Sequence, residues 1–193
     1  MCSWCWGFAP SVQALADAGH RVTLALGSLG ADRVRPMREK DKASVREHWE
    51  HVAEASGQPF DFGFFERRGF VYDTEPACRA VQVVRAHYPA LALAAFGRLQ
   101  ERFYALGDDI TDRTLLGEAV AEFGIAADVF EAAFDAPETA AVVAAEWRQT
   151  AALGVTGYPT LLAFAAGRPE VVTIGWRPPG EILAAVTALA ARG

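Results

Sequence analysis

Apolar positions recur at helical spacing at the front of the chain, where Phe8, Val12, Leu15 and Ala16 predict a helix over about 2–18. Pro10 is expected to kink it and Gly19 to supply its left-handed stop. Residues 21–26 (RVTLAL) alternate and are partly β-branched, and Gly27, Ser28 and Gly30 punctuate their end, which predicts a strand. The next hundred residues change texture, with helical patterns over about 42–55, 75–87, 89–106, 114–123, 127–134 and 138–153. Ser56-Gly57-Gln58-Pro59 ends one of these helices, Thr74 is placed to cap the next with Pro76 in its first turn, and Gly107-Asp108-Asp109 separates two more. After Leu153 short apolar runs return at 160–165 and 170–174, and the Ala166-Gly167-Arg168-Pro169 link between them predicts a hairpin. Pro178-Pro179 then opens a last helix over 180–191 with Ile182, Leu183, Val186 and Leu189 on one stripe. The order α-β, helices, β-β-α predicts an α/β scaffold interrupted by a helical insertion, with parts at 1–30, 31–135 and 136–193.

Composition narrows the function classes. At 193 residues, 52% hydrophobic and 22% charged, the chain supplies one composite folded domain rather than a disordered segment. A formal charge of -6 offers no surface for tracking phosphates, so nucleic acid is not an expected partner. No apolar run approaches the ~20 residues of a membrane span, and the stretch 90–97 is closed by Arg98, so no membrane partner is expected either. Cys2 follows Met1 directly, leaving no room for an export signal, and three cysteines give little disulfide potential. A cytoplasmic location is the expectation.

The cysteines are unevenly placed, Cys2 with Cys5 and then Cys78 alone. Cys2-Ser3-Trp4-Cys5 is a C-x-x-C at a helix start, a spacing that brings two sulfurs within bonding reach. The first sulfur faces unpaired N–H groups of the first turn, which favour its thiolate, so Cys2 is the candidate nucleophile. Lowering a thiol from about 8.5 to about 7 needs roughly 2 kcal/mol, whereas a helix dipole contributes ~0.3–1, so direct N–H···S bonds are expected to supply the rest. Cys5, deeper and screened by Trp4 and Trp6, is the candidate resolving thiol. A zinc site would need two more ligands, and Cys78, His20, His48, His51 and His87 are not spaced as a second pair, although His48 and His51 lie three apart. No resident metal is expected.

Gly154-Val155-Thr156-Gly157-Tyr158-Pro159-Thr160 precedes the hairpin, where an X-Pro bond can be cis at about 0.5–1 kcal/mol. A cis bond there would leave the Tyr158 backbone open to an extended peptide. This segment, the Met1–Pro10 stretch MCSWCWGFAP and the middle stretch FVYDTEPAC at 70–78 together resemble the DsbA family of thiol-disulfide oxidoreductases, most closely its FrnE-like subgroup. The resemblance spans essentially the whole chain. It implies a thioredoxin-like fold with an inserted all-α domain, and Pro159 as a cis-proline facing the cysteine pair. It implies no cofactor beyond the dithiol, with glutathione as a candidate co-substrate. Protein or peptide thiols and disulfides are the implied partners, a homodimer is a candidate assembly, and Trp4, Tyr158 and Pro159 are candidate substrate contacts.

A thioredoxin-like sheet delivers its C-x-x-C from a central strand, yet only Met1 precedes Cys2. The expectation is that this first central strand is missing, about ten residues ahead of Met1, or that another segment or chain fills its place. Cys78, just after Pro76, is a candidate third thiol beside its commoner role as a small buried hydrophobe. Phe60, Phe62, Phe64, Phe65, Phe70 and Trp49 are expected to pack in a core rather than line a groove, Tyr72, Tyr88 and Tyr104 carry no distinguishing signal, and Asp108, Asp109 and Asp112 read as solvated caps. Two alternative functions stay open: a glutathione-dependent transferase or isomerase of the kappa-like type, in which Ser usually replaces the first Cys, and a non-catalytic zinc-binding or interaction module.

Overall fold

The structure is a computed structural model that describes residues 1–29, 34–165 and 168–191. Two helices replace the single kinked one expected at the front: α1 (Ser3–Gly7) and α2 (Ala9–Asp17), joined at Phe8. Pro10 explains the break, because it has no N–H for the Trp6 carbonyl four residues earlier. That carbonyl accepts from the Gln58 side-chain amide at 3.1 Å as well as from a backbone N–H at the end of α1. Gly19, at φ +82°, closes α2.

Residues 21–26 form no strand, which corrects the expectation of an α-β unit at the front of the chain. A strand exists only where its N–H and C=O groups find a ladder partner. Here the Leu26 carbonyl accepts from the Thr150 hydroxyl at 2.9 Å, and Arg85 Nη1 reaches the Leu24 carbonyl at 3.4 Å. A cleft of about 700 Å³, lined by Val22, Leu161, Phe164 and Val186 among others, separates this segment from the hairpin, where the sequence led us to expect a central strand. The hairpin itself forms as expected. Strand β1 (Thr160–Ala165) pairs antiparallel with β2 (Arg168–Ile174), with an irregularity between Leu161 and Leu162, and this pair is the whole sheet among the described residues. Of the predicted loop, Ala166 and Gly167 lie outside the described residues and Arg168 and Pro169 open β2. The last helix, α9 (Pro179–Ala190), packs on α2 and on both strands through Ile182, which meets Phe8 and Leu15 in a small second core.

Between these parts lie α3 (Glu39–Ser56), α4 (Glu75–His87), α5 (Ala92–Tyr104), α6 (Arg113–Ala121), α7 (Ala127–Asp135) and α8 (Pro137–Ala152). Short 3-10 turns at Phe62–Glu66 and Pro89–Leu91 join them, the first in the aromatic connecting segment and the second where a continuous helix was expected. The main core centres on Trp49, fully buried, with Phe64, Phe65, Phe103 and Tyr104 packed around it at ring-centroid distances of 4.9, 4.8, 5.7 and 5.0 Å. The aromatic residues thus build a core. Trp49→Ala is expected to cost about 3–5 kcal/mol, to be read by urea unfolding. Arg85 on α4 grips Glu146 on α8 with two hydrogen bonds, one of 2.7 Å, and so fastens the helices that also hold residues 24–26.

Two caps behave differently from each other. Asp112 caps α6 as expected, accepting from the Thr114 N–H at 2.7 Å. Thr74 does not cap α4: its backbone is already helical at φ -94°, ψ -9°, and its buried hydroxyl has no partner among the described residues. Asp73 takes the Glu75 N–H instead, at 3.0 Å.

Candidate active site

Cys2 stands at the N-cap of α1, its carbonyl accepting from the N–H groups of Cys5 and Trp6 at 3.0 and 3.1 Å. One turn therefore separates the two cysteines, both free thiols and both half-buried. The hydrogen bond from the Cys5 thiol is the main reason that Cys2 ionises early, its pKa lowered to about 7. Burial opposes this, and the backbone N–H groups of Cys5 and Trp4 add to it. The sequence pointed to N–H groups as the main source, whereas the neighbouring sulfur contributes more. Cys5 is driven the other way, well above the ordinary thiol range, because it is the donor to Cys2, is buried, and is repelled by the Cys2 thiolate. One thiol is poised to ionise and the other to keep its proton.

The second half of the site comes from the opposite end of the chain. The Cys2 thiol donates to the Tyr158 carbonyl at 3.7 Å, and the Tyr158–Pro159 peptide bond is cis. Pro159 is buried, and its carbonyl accepts from the Gly175 N–H at 2.7 Å, which ties the loop to the end of β2. Next along the chain, Trp176 donates from Nε1 to the Gly7 carbonyl at 2.9 Å and lies 6.2 Å from Trp4. The hairpin thus braces α1 directly, with Trp4 against Trp176 and the cis Tyr158–Pro159 bond beside Cys2.

Three features of the site carried no usable sequence signal. Gly27 is one: a Cβ there would fall 2.2 Å from Cε1 of Tyr158 and 2.3 Å from its Cζ and Oη, so the ring seats only because residue 27 has no side chain. Gly27→Ala is expected to displace Tyr158 and lower kcat/KM for a peptide disulfide by about tenfold to a hundredfold, with the far-ultraviolet circular dichroism retained. The second is Tyr104, buried and stacked against Trp6 at 6.4 Å, its hydroxyl 3.4 Å from that of Tyr72. Burial is the main reason its phenol resists ionisation, and the nearby cysteine pair adds to that. The third is Trp176, whose bracing role depends on the hairpin's placement.

Cys78 sits in the first turn of α4 and packs against the main core, where burial pushes its pKa up to about 11. At pH 7 only about one part in ten thousand is thiolate, too little for a competing nucleophile. Cys78→Ser is therefore expected to leave peptide-disulfide turnover within about twofold of the parent in a stopped assay. Among the described residues no group of three or more His, Cys, Asp or Glu is arranged to hold a metal ion. His48 spends its Nδ1 on the Ser44 carbonyl at 2.7 Å.

In comparison with known proteins, the DSBA-like thioredoxin domain family matches residues 1–176. The chain belongs to this family. Its fold is accordingly the thioredoxin-like DSBA fold, mostly helical with a small two-stranded sheet. A candidate protein disulfide isomerase from Nitrosomonas europaea shares 29% identity at a TM-score of 0.89, covering 100% of this chain and 94% of that one. The cytosolic disulfide reductase DsbM from Pseudomonas aeruginosa is 26% identical at a TM-score of 0.81, covering 100% of this chain and 96% of its own. Its structure with GSH is similar at 0.77, again at 26% identity, covering 99% and 95%. No curated protein matches the chain. Among the described residues of this DSBA-like chain no helix is long and apolar enough to cross a membrane.

Proposed function

We propose that this DSBA-like protein is a cytosolic disulfide reductase that acts on protein or peptide disulfides through Cys2 and Cys5. The observation that carries this reading is the opposed ionisation of the two thiols, Cys2 lowered to about 7 and Cys5 raised, beside the Tyr158 carbonyl. A first thiol near 7 lies at the thioredoxin end of the range, whereas strong oxidants stabilise theirs to about 3.5. The resemblance to DsbM, itself described as a cytosolic disulfide reductase, supports the same direction and location.

The reaction balances within the chain. The Cys2 thiolate attacks one sulfur of the substrate disulfide, that S–S bond breaks, and the departing thiolate takes up a proton. Cys5 then gives up its proton and attacks Cys2 Sγ in the mixed disulfide, releasing the second substrate thiol. Two electrons pass to the substrate and the Cys2–Cys5 disulfide forms. No resident cofactor is required. Two molecules of glutathione, which become glutathione disulfide, return the pair to the dithiol, a role supported by the DsbM structure with GSH. Trp4 and Tyr158 flank the peptide segment.

A fluorescent peptide disulfide tests this directly. Without glutathione the reduced chain should release peptide thiol once, one disulfide per chain, and with glutathione it should turn over repeatedly. Absence of the single-equivalent burst from folded, reduced protein would refute the reading.

A further inference from the structure

The break at Phe8 interrupts the helical ladder and leaves α1 only five residues long. The last two carbonyls of α1 are thereby left without their usual helical partners. Pro10 has no N–H for the Trp6 carbonyl, and the Ser11 N–H, the ordinary partner of Gly7, goes to the Phe8 carbonyl at 3.0 Å. Two side chains reach in from distant stretches of the chain. Gln58 donates from its amide to the Trp6 carbonyl at 3.1 Å, and Trp176 donates from Nε1 to the Gly7 carbonyl at 2.9 Å. The first contact is returned, since the Trp6 indole donates to the Pro59 carbonyl at 3.0 Å. Just ahead of Gln58, the end of α3 lies so close that a Cβ on Gly7 would fall 2.8 Å from Cγ1 of Val52.

Resting on the reductase reading above, we propose that Gln58 and Trp176 are positioning residues, a two-sided clamp on the C-terminal end of α1 that sets the angle at which Cys2 meets the substrate disulfide. One jaw comes from the segment after α3 and the other from the segment after β2, so two distant stretches of chain aim the nucleophile together. Leverage makes the clamp matter. Cys2 lies five residues from Gly7, roughly 7.5 Å along the axis at about 1.5 Å per residue. A tilt of roughly eight degrees at the clamped end therefore carries Cys2 about 1 Å, and a misplacement of about 1 Å can cost about a hundredfold in rate. The same tilt would shift the Cys2 sulfur against the Tyr158 carbonyl, 3.7 Å away on a different element. The groups that favour the Cys2 thiolate, the Cys5 thiol and the N–H groups of Cys5 and Trp4, lie within α1 and travel with it. The clamp therefore governs aim and leaves ionisation alone.

Gln58→Leu and Trp176→Phe test it, since each removes a donor and keeps an apolar side chain in its place. Reduced protein is mixed with the fluorescent peptide disulfide, and single-turnover release of peptide thiol is followed to saturation. Each variant should lower the maximal rate about threefold and the double variant about a hundredfold, beyond the product of the two, because either jaw alone still holds the helix. The half-saturating peptide concentration should stay within about twofold, and the midpoint of Cys2 alkylation should stay at about 7. A merely structural role would lower the urea midpoint and leave the maximal rate per folded chain unchanged, and that result overturns the clamp. So does an alkylation midpoint that moves with the rate, which would make the two residues tuners of the thiolate. A double variant slowed only about tenfold would show two independent contacts and overturn a shared clamp. Should Trp176→Phe fail to fold, Gln58→Leu decides alone, its maximal rate falling about threefold under the clamp and not at all without it. In each of these cases the parent's single-equivalent burst stands, whereas its absence from folded, reduced parent brings down the reductase reading and the clamp together.

Discussion

Cys2→Ser is expected to lower peptide-disulfide turnover by about a thousandfold or more, to the rate of the uncatalysed exchange. The reason lies in the order of events. The Cys2 sulfur is the one near the Tyr158 carbonyl, at 3.7 Å, and the one whose thiolate is stabilised at about 7. Cys5 cannot take over, since its proton is held well above the ordinary range. A serine hydroxyl neither ionises near neutral pH nor exchanges with a disulfide. Cys2→Ser should also keep its fold, because Cys2 contributes to α1 through its carbonyl rather than its sulfur. Stopped assays of peptide thiol release, with circular dichroism alongside, measure both halves of this expectation.

Removing Cys5 is the second large effect, and it has two signatures. Cys5→Ser should trap the substrate on Cys2 as a mixed disulfide, visible by mass as one adduct per chain, because no sulfur remains to resolve it. Cys5→Ala should also raise the pH at which Cys2 becomes reactive. The parent's alkylation rate should climb with pH through about 7 and level above it, as the thiolate fraction saturates. The Cys5 thiol is the largest cause of that low midpoint, so its loss moves the curve toward higher pH. Cys5→Ser, whose hydroxyl still donates a hydrogen bond, should shift less than Cys5→Ala. Between about pH 7 and 8.5 the parent should therefore react faster than Cys5→Ala, with the curves converging at higher pH. Coincident curves for parent and Cys5→Ala would show that the neighbouring sulfur does not set the ionisation.

What the sequence made legible was local. The C-x-x-C at a helix start, the helical block and the hairpin each depend on neighbours within a few residues, and each is where the pattern puts it. Where the pattern misled, the deciding partner was distant. Residues 21–26 alternate like a strand, yet a strand needs a ladder, and here Thr150 and Arg85 take the backbone carbonyls. Pro10 was expected to kink one helix, and the break falls at Phe8, where the Trp6 carbonyl that Pro10 cannot serve also takes the Gln58 side-chain amide from fifty-two residues away. Gly27 reads as turn punctuation until the Tyr158 ring is seen lying where its Cβ would be. Trp176 and Tyr104 look like ordinary core aromatics, and only the fold shows that one bonds the Gly7 carbonyl and the other stacks on Trp6.

The central claim is that Cys2 and Cys5 form a reversible two-electron pair of reducing character. Equilibration of the protein in glutathione buffers of graded ratio, followed by alkylation and mass measurement, tests it most directly. We expect a single two-electron transition near thioredoxin's potential, about -230 to -280 mV, carried by Cys2 and Cys5 with Cys78 alkylated only after unfolding. A midpoint near about -120 mV, or two thiols that never join at any ratio, would contradict the account.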